Sequence, residues 1–267
     1  MLPRNGRMRL ALAAPCLLAP CLLTTGCFVP SVAIAPRYVF TEVDGSVAAN
    51  AAGSSGSSSL EDLGLDDSSS AFSPRVDLDW LGFQVSASTL ATSSSGTGTL
   101  DADLDLGGDT ISAGDDVDSD LDLDVLSAAA TWDIIPTDFI DVGLGLGVTM
   151  LEFDARFRST TTNDLLVTDE SLPIPVLAAR VGSQIGPLDV GAVLGFIDYD
   201  VDDVDASLFD LDIHAAYRLL GEGDRFVGHI VAGYRYIDMD GSYEDGDSTV
   251  ATDFTIEGPY VGVAVSF

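Results

Sequence analysis

The C-terminal run Tyr260-Val261-Gly262-Val263-Ala264-Val265-Ser266-Phe267 constrains the fold more than any other stretch of the chain. Side chains of an extended strand alternate between faces, so Val261, Val263, Val265 and Phe267 share one side while Gly262, Ala264 and Ser266 take the other. A terminal strand that is apolar outside and aromatic at its end suits closure of an outer-membrane β-barrel. Upstream, Val142, Leu144, Leu146, Val148 and Met150 alternate with Gly143, Gly145, Gly147, Thr149 and Leu151. Leu211, Ile213, Ala215, Tyr217 and Leu219 alternate with Asp212, His214, Ala216 and Arg218. Ionisable groups facing lipid are costly, so that polar face points to a lumen.

Strand-like alternation covers 34–47, 71–80, 83–92, 117–132, 139–153, 172–183, 188–199, 208–219, 226–239 and 253–267. The connections between these segments are sorted by length. Those at 48–70, 90–116, 156–171, 200–207 and 240–252 are long, acidic and rich in Gly and Ser, whereas Leu81-Gly82, 134–138, 184–187 and 220–225 are short. Long outer loops alternating with short periplasmic turns, on an even number of strands, predict an all-β, transmembrane antiparallel β-barrel meander of about ten strands. Eight is the alternative count if 71–92 is not a hairpin and one end segment is not a strand.

Two strands change parity partway. Phe254 and Ile256 hold one phase and Val261 onward the other, which predicts a β-bulge at Gly258-Pro259. In 117–132, Leu121, Leu123 and Val125 give way to Leu126 and Trp132 with no evident repair. Several strands exceed the crossing length and carry Asp-rich outer halves, predicting a projection above the bilayer. Tyr217, Tyr234, Tyr236, Tyr260, Trp80, Trp132 and Phe267 are candidates for the interfacial girdles.

Residues 1–26 read as an export signal, with Arg4, Arg7 and Arg9 before a short Ala/Leu-rich core, leaving 27–267 as one barrel domain. Thr25-Gly26-Cys27 fits lipidation of Cys27, and ordinary cleavage between Gly26 and Ala35 fits as well. Of the three cysteines, Cys16 and Cys21 lie in this segment and Cys27 directly follows it, so the body has at most one thiol and no disulfide staples it. All 11 basic residues are Arg, against 43 acidic ones; a formal charge of -32 argues against nucleic acid and anionic surfaces as partners and favours cations.

Leu60-Glu61-Asp62-Leu63-Gly64-Leu65-Asp66 with 75–80, Val117-Asp118-Ser119-Asp120-Leu121-Asp122-Leu123, Ala232-Gly233-Tyr234-Arg235-Tyr236 and Gly258-Pro259-Tyr260-Val261-Gly262 resemble small Gram-negative outer-membrane β-barrel proteins, broadly OmpA- or OmpW-like. The resemblance spans nearly all of the mature chain. It implies a monomeric integral barrel inserted by the barrel-assembly machinery into outer-membrane lipid, and it carries over no catalytic residue. The absence of Lys departs from the basic wall through which such barrels meet lipid A.

The candidate lumen network consists of Arg218 and Arg235 with Asp212, Glu257 and Glu152. Opposite charges in a narrow barrel must pair to stay ionised, which suits a structural plug or a conduction path. His214 and His229, the two histidines, fall near the middle and the periplasmic end rather than at the outer rim, so protease chemistry of the kind some ten-stranded barrels place there is not expected. Carboxylate-rich loops supply hard oxygen ligands: Asp115, Asp116, Asp118 and Asp120, and Asp202, Asp203 and Asp205, are candidates for Ca²⁺, although none matches a calcium-binding helical loop. Such ions can bridge the loops to lipopolysaccharide phosphates. Phosphate-loop, Cys/His metal and Gly-x-Ser-x-Gly patterns are missing, and no enzyme or cofactor is expected. The expected role is structural or surface-interacting through acidic outer loops; the alternative is a narrow, cation-preferring, porin-like channel.

Overall fold

The computed structural model describes residues 30–51, 54–65, 69–100, 104–106, 109–137, 139–162, 164–201, 204–221, 226–245 and 248–267. The export segment, Cys27, Asp202 and Asp203 lie outside these residues. β1 (Ser31–Ala35) and β2 (Arg37–Ala51) run as one stave interrupted by Pro36, and β3 (Ser54–Ser59) folds back on the top of β2. β4 (Ser69–Phe72) and β5 (Arg75–Trp80) form the second stave, interrupted at Ser73-Pro74. β6 (Phe83–Thr99) is the third. β7 (Leu104–Leu106) and β8 (Asp109–Ile111) pair only with each other in the connection that follows. β9 (Asp116–Pro136), β10 (Asp141–Ser159), β11 (Leu165–Ile185), β12 (Leu188–Val201), β13 (Val204–Leu220), β14 (Val227–Asp245) and β15 (Ser248–Ser266) complete ten staves.

Every stave pairs antiparallel with the next, and the circle closes where β15 meets β1 at Ile34↔Val265 and β2 at Val39↔Tyr260. Closure leaves no sheet edge, which lets strands span lipid with their backbone satisfied. Local chemistry sets the tight end. Trp80 pairs with Phe83 around Leu81-Gly82, both at positive φ (54° and 78°), the signature of a type I′ hairpin. Gly186, at φ 63°, with the fixed negative φ of Pro187, closes β11 onto β12 with the sign pattern of a II′ turn.

The barrel is built in two zones that invert each other. Near the short turns the outer face is apolar: Leu144, Leu146, Leu177, Ile213, Ile230, Val261 and Val263 are exposed there, ringed by Trp80, Trp132, Phe139, Tyr217 and Phe267. Farther up, the same strands put their apolar side chains inside. Val43, Leu121, Leu123, Val125, Phe157, Leu208, Ile237, Phe254 and Ile256 are buried in one cluster, while Asp118, Asp120, Asp122 and Asp124 face water. Carboxylates of Glu42, Asp124, Glu152 and Glu257 mark the crossover level on the outer wall.

This inversion corrects the expected bulge at Gly258-Pro259. The β14–β15 ladder runs from Val227↔Ser266 to Asp245↔Ser248 without a shift, so Phe254 and Ile256 point inward and Val261 outward in unbroken register. It also accounts for the phase change on β9. The register shifts observed skip Ile134 and Leu219 at the periplasmic rim, leaving the pairs Ile134-Ile135 and Leu219-Leu220 exposed to the bilayer side.

The outer connections are likewise shorter than their sequence implies. β10 and β11 pair to Arg158↔Leu165, β12 and β13 to Val201↔Val204, and β14 and β15 to Asp245↔Ser248, and among the described side chains of these connections Asp205 and Asp240 are exposed strand positions. The 60–65 segment turns inward and buries Leu60, Leu63 and Leu65. It lies so close to β6 that a Cβ on Gly96 or Gly98 would stand 1.8 Å from the carbonyl oxygens of Gly64 and Asp62, an approach only glycine allows.

Candidate functional site

Below the apolar cluster the lumen holds a layer of buried charge. Asp212 (1 % exposed) is its centre. Its Oδ2 accepts from Arg37 Nη1 at 2.6 Å and Arg235 Nη1 at 3.3 Å, and Arg75 Nη1 lies 3.3 Å away. Tyr260 donates its hydroxyl to Oδ1 at 2.6 Å, and its ring lies 4.5 Å below the Arg37 guanidinium carbon. Arg75 is held a second time by Asp77, with Nη2 at 2.8 Å from Oδ1. Arg235 Nη2 reaches Asp210 at 2.7 Å, and Ser127 Oγ donates to the same carboxylate oxygen at 2.6 Å.

Three arginines thus meet three aspartates drawn from four staves, and Ser88 and Ser127 tie two more to Arg235. The pairing decides whether such a layer is tolerable. A buried ion costs several kcal/mol to desolvate, roughly offset when geometry is good and the remaining valences are satisfied. A hydroxyl layer of Thr41, Ser69 and Thr92 sits above, with contacts of 2.7–3.4 Å, and the apolar cluster caps it. Toward the periplasm, Arg180 bridges Asp133 and Asp141.

The predicted lumen residues separate. Arg235 and Asp212 lie in the charge layer. Arg218 faces inward near the periplasmic end, opposite His229, and makes no ion pair among the described residues. Glu152 and Glu257 are corrected to the outer wall: Glu152 is exposed opposite Asp124, and Glu257 accepts from the exposed Tyr234 hydroxyl at 2.8 Å. Both follow the unbroken membrane-zone alternation, Glu152 in phase with Leu144 and Leu146 and Glu257 with Val261 and Val263; it is the expected bulge at Gly258-Pro259 that would turn Glu257 inward. Tyr260, expected in a girdle, is in phase with Gly262 and Ala264, opposite to outward Val261, and is buried inside.

Those candidate cation ligands that are described lie on the outer surface or at its strand tops. Asp116, Asp118 and Asp120 alternate outward along β9, spaced about 7 Å apart by strand rise. Asp115 accepts from Ser159 at 3.2 Å, Asp116 from Thr99 at 2.8 Å and Asp118 from Thr97 at 3.2 Å. Asp205 lies on β13 beside the directly paired Asp240 and Asp253. No group of three His, Cys, Asp or Glu placed to hold a metal occurs among the described residues. In this wall burial, reinforced by Asp122, raises the Asp124 carboxyl above its ordinary value, and burial with Asp240 and Asp238 raises Asp253.

Sequence reasoning missed Arg37, Arg75, Asp77 and Asp210. A signal existed for two of them: outward Tyr38 and Phe40 put Arg37 inside, and outward Val76 does the same for Arg75. Asp210 belongs to the same inward set as Asp212 and His214. His214 and His229 both line a periplasmic cavity of about 450 Å³.

A closed barrel with an apolar belt and a paired polar lumen defines an integral outer-membrane β-barrel protein of Gram-negative type. Its architecture is similar to that of the outer membrane protease OmpT from Escherichia coli, with a TM-score of 0.59 at 9 % identity over 91 % of this chain and 99 % of that one. The likeness is one of fold alone. Ail, the attachment invasion locus protein of Yersinia pestis (12 % identity, TM-score 0.29, 89 % and 99 % covered), and the Pseudomonas putida toluene transporter TodX (10 %, 0.29, 89 % and 89 %) superpose too loosely to bear on it. No known protein-family pattern and no curated protein matches the chain.

Proposed function

We propose that the protein is a plugged structural barrel that meets its surroundings through its acidic outer wall. The observation that carries this reading is the filled outer half of the lumen. The void lined by Leu123, Val125, Thr149, Ile174, Leu208 and Phe254 is about 10 Å³, room for about one water rather than a conducting column. The charge layer beneath is crossed by paired side chains. A cation channel would need free carboxylates along an open path; here the acids of that layer are spent on arginine.

Contact through the wall fits the exposed carboxylates of β9 and of the β13–β15 surface. Divalent ions bridging Glu42, Asp124, Glu152 and Glu257 to lipopolysaccharide phosphates would replace the basic residues this chain lacks at that level. Liposomes carrying the folded barrel should not swell in isotonic arabinose or lysine hydrochloride. Swelling in lysine alone would favour the cation-channel alternative, and a melting temperature unmoved by Ca²⁺ or chelator would remove the bridging component.

A further inference from the structure

The periplasmic half of the lumen encloses the cavity of about 450 Å³, within the size range of small-molecule sites, roofed by Arg37, Arg75 and Tyr260. Its arginines have no charge to spare. Arg37 is engaged by Asp212, Arg75 by Asp77 and Asp212, and Arg180 by Asp133 and Asp141. Its carboxylates are not matched in return. Asp79 makes no ion pair among the described residues and takes only a long hydrogen bond, 3.4 Å, from Gln84 Nε2. Asp189 has His229 at 3.4 Å, a counter-charge only when that imidazole is protonated. Asp141 leaves 39 % of its side chain accessible despite Arg180.

Among the side chains lining the cavity two buried polar atoms lack a hydrogen-bond partner: Gln84 Oε1, which only accepts, and His214 Nδ1, so a hydrogen-bond donor can be received there; Arg218, whose Nε is also unpartnered, is not part of the lining. Between the acids the wall is methyl-lined by Ala33, Ala264 and Val231. Dispersed carboxylates on an alkyl wall do not suit a metal, which needs ligands converging on one point. They suit a cation that carries its own alkyl surface.

We infer that this vestibule binds a small organic ammonium ion entering from the periplasm. Asp79 and Asp189 supply the charge, and the alanine and valine methyls receive the alkyl groups. The site is independent of the plug, because a blind vestibule binds whether or not the outer half conducts.

Choline is the probe, and 3,3-dimethyl-1-butanol, the same shape without charge, is its control. In the full barrel labelled with ¹³C on alanine methyls, choline should shift the Ala33 and Ala264 signals saturably, while the neutral isostere and sodium acetate leave them in place. Asp79→Asn and Asp189→Asn, each still shifting its migration on heating, should weaken choline binding about tenfold, as expected for loss of one charge-assisted contact. Because the choline–isostere comparison uses the unmodified barrel, it decides even if a variant does not fold. Absence of shifts at tens of millimolar choline, equal shifts from the neutral isostere, or undiminished binding in both folded variants would overturn the assignment.

Discussion

Arg37 and Asp212 meet at 2.6 Å although 175 residues separate them and two staves, β15 and β14, stand between their own. The contact ties the first stave to the eighth, and Arg75 and Arg235 converge on the same carboxylate. Asp212→Ala leaves Arg37 without a counter-charge in a buried layer and takes one of two from Arg75 and from Arg235. It should destabilise the barrel by about 3–5 kcal/mol, the usual cost of breaking a buried pair from one side. Urea unfolding in lipid vesicles measures this; Glu152→Ala on the outer wall should change stability by less than about 0.5 kcal/mol.

Asp124 and Leu126 stand on the same outward face of β9, a carboxylate above and an apolar side chain, 39 % exposed, below. The crossover between them fixes where lipid begins. Leu146→Arg, on the belt, should cost about 2–4 kcal/mol in vesicles, as charge does near the bilayer midplane. Asp120→Arg, on the outward face above the crossover, should cost close to nothing. Equal penalties at the two sites would place the bilayer elsewhere.

Asp124 and Asp253 face like charges across their strands, and their carboxyls are raised above the ordinary value of 3.8. A folded-state pKa above the unfolded one gives stability that is full below the unfolded pKa and lost as pH rises through the folded one. The outer half is therefore expected to tighten on acidification from neutral pH toward 4. Hydrogen exchange of β9 and β15, corrected for intrinsic rates, should show slower opening at pH 4 than at pH 7, and Asp124→Asn should slow opening at pH 7. Faster opening at pH 4 would contradict this.

Much of the barrel was legible because lipid enforces a two-residue period on each outward face. β10 and the end of β15 read correctly for that reason, and the tight turns read from Leu81-Gly82 and Gly186-Pro187. The strand tops did not, because the same period persists while the solvents exchange sides. Phe254 looked like a displaced outward residue and Glu257 like a lumen acid, although neither leaves the register. The charge layer was half legible. Parity placed Asp212 and Arg235, but partners such as Arg37 and Arg75 lie on staves that a single strand's pattern cannot align.

The 60–65 segment caps the outer half through Leu60, Leu63 and Leu65. Leu63→Ala should cost about 2–5 kcal/mol, as large-to-small changes in packed cores do, with the loss confined to the outer zone. Limited proteolysis should cut first within 52–68 in the variant while the boiled and unheated forms still migrate differently.

Whether the lumen is filled or open is tested most directly by ion conductance across a planar bilayer. Folded, heat-modifiable wild-type protein should insert silently, with no discrete steps at either polarity. Reproducible, cation-selective steps from the same material would contradict the plug and make the charge layer part of a conduction path.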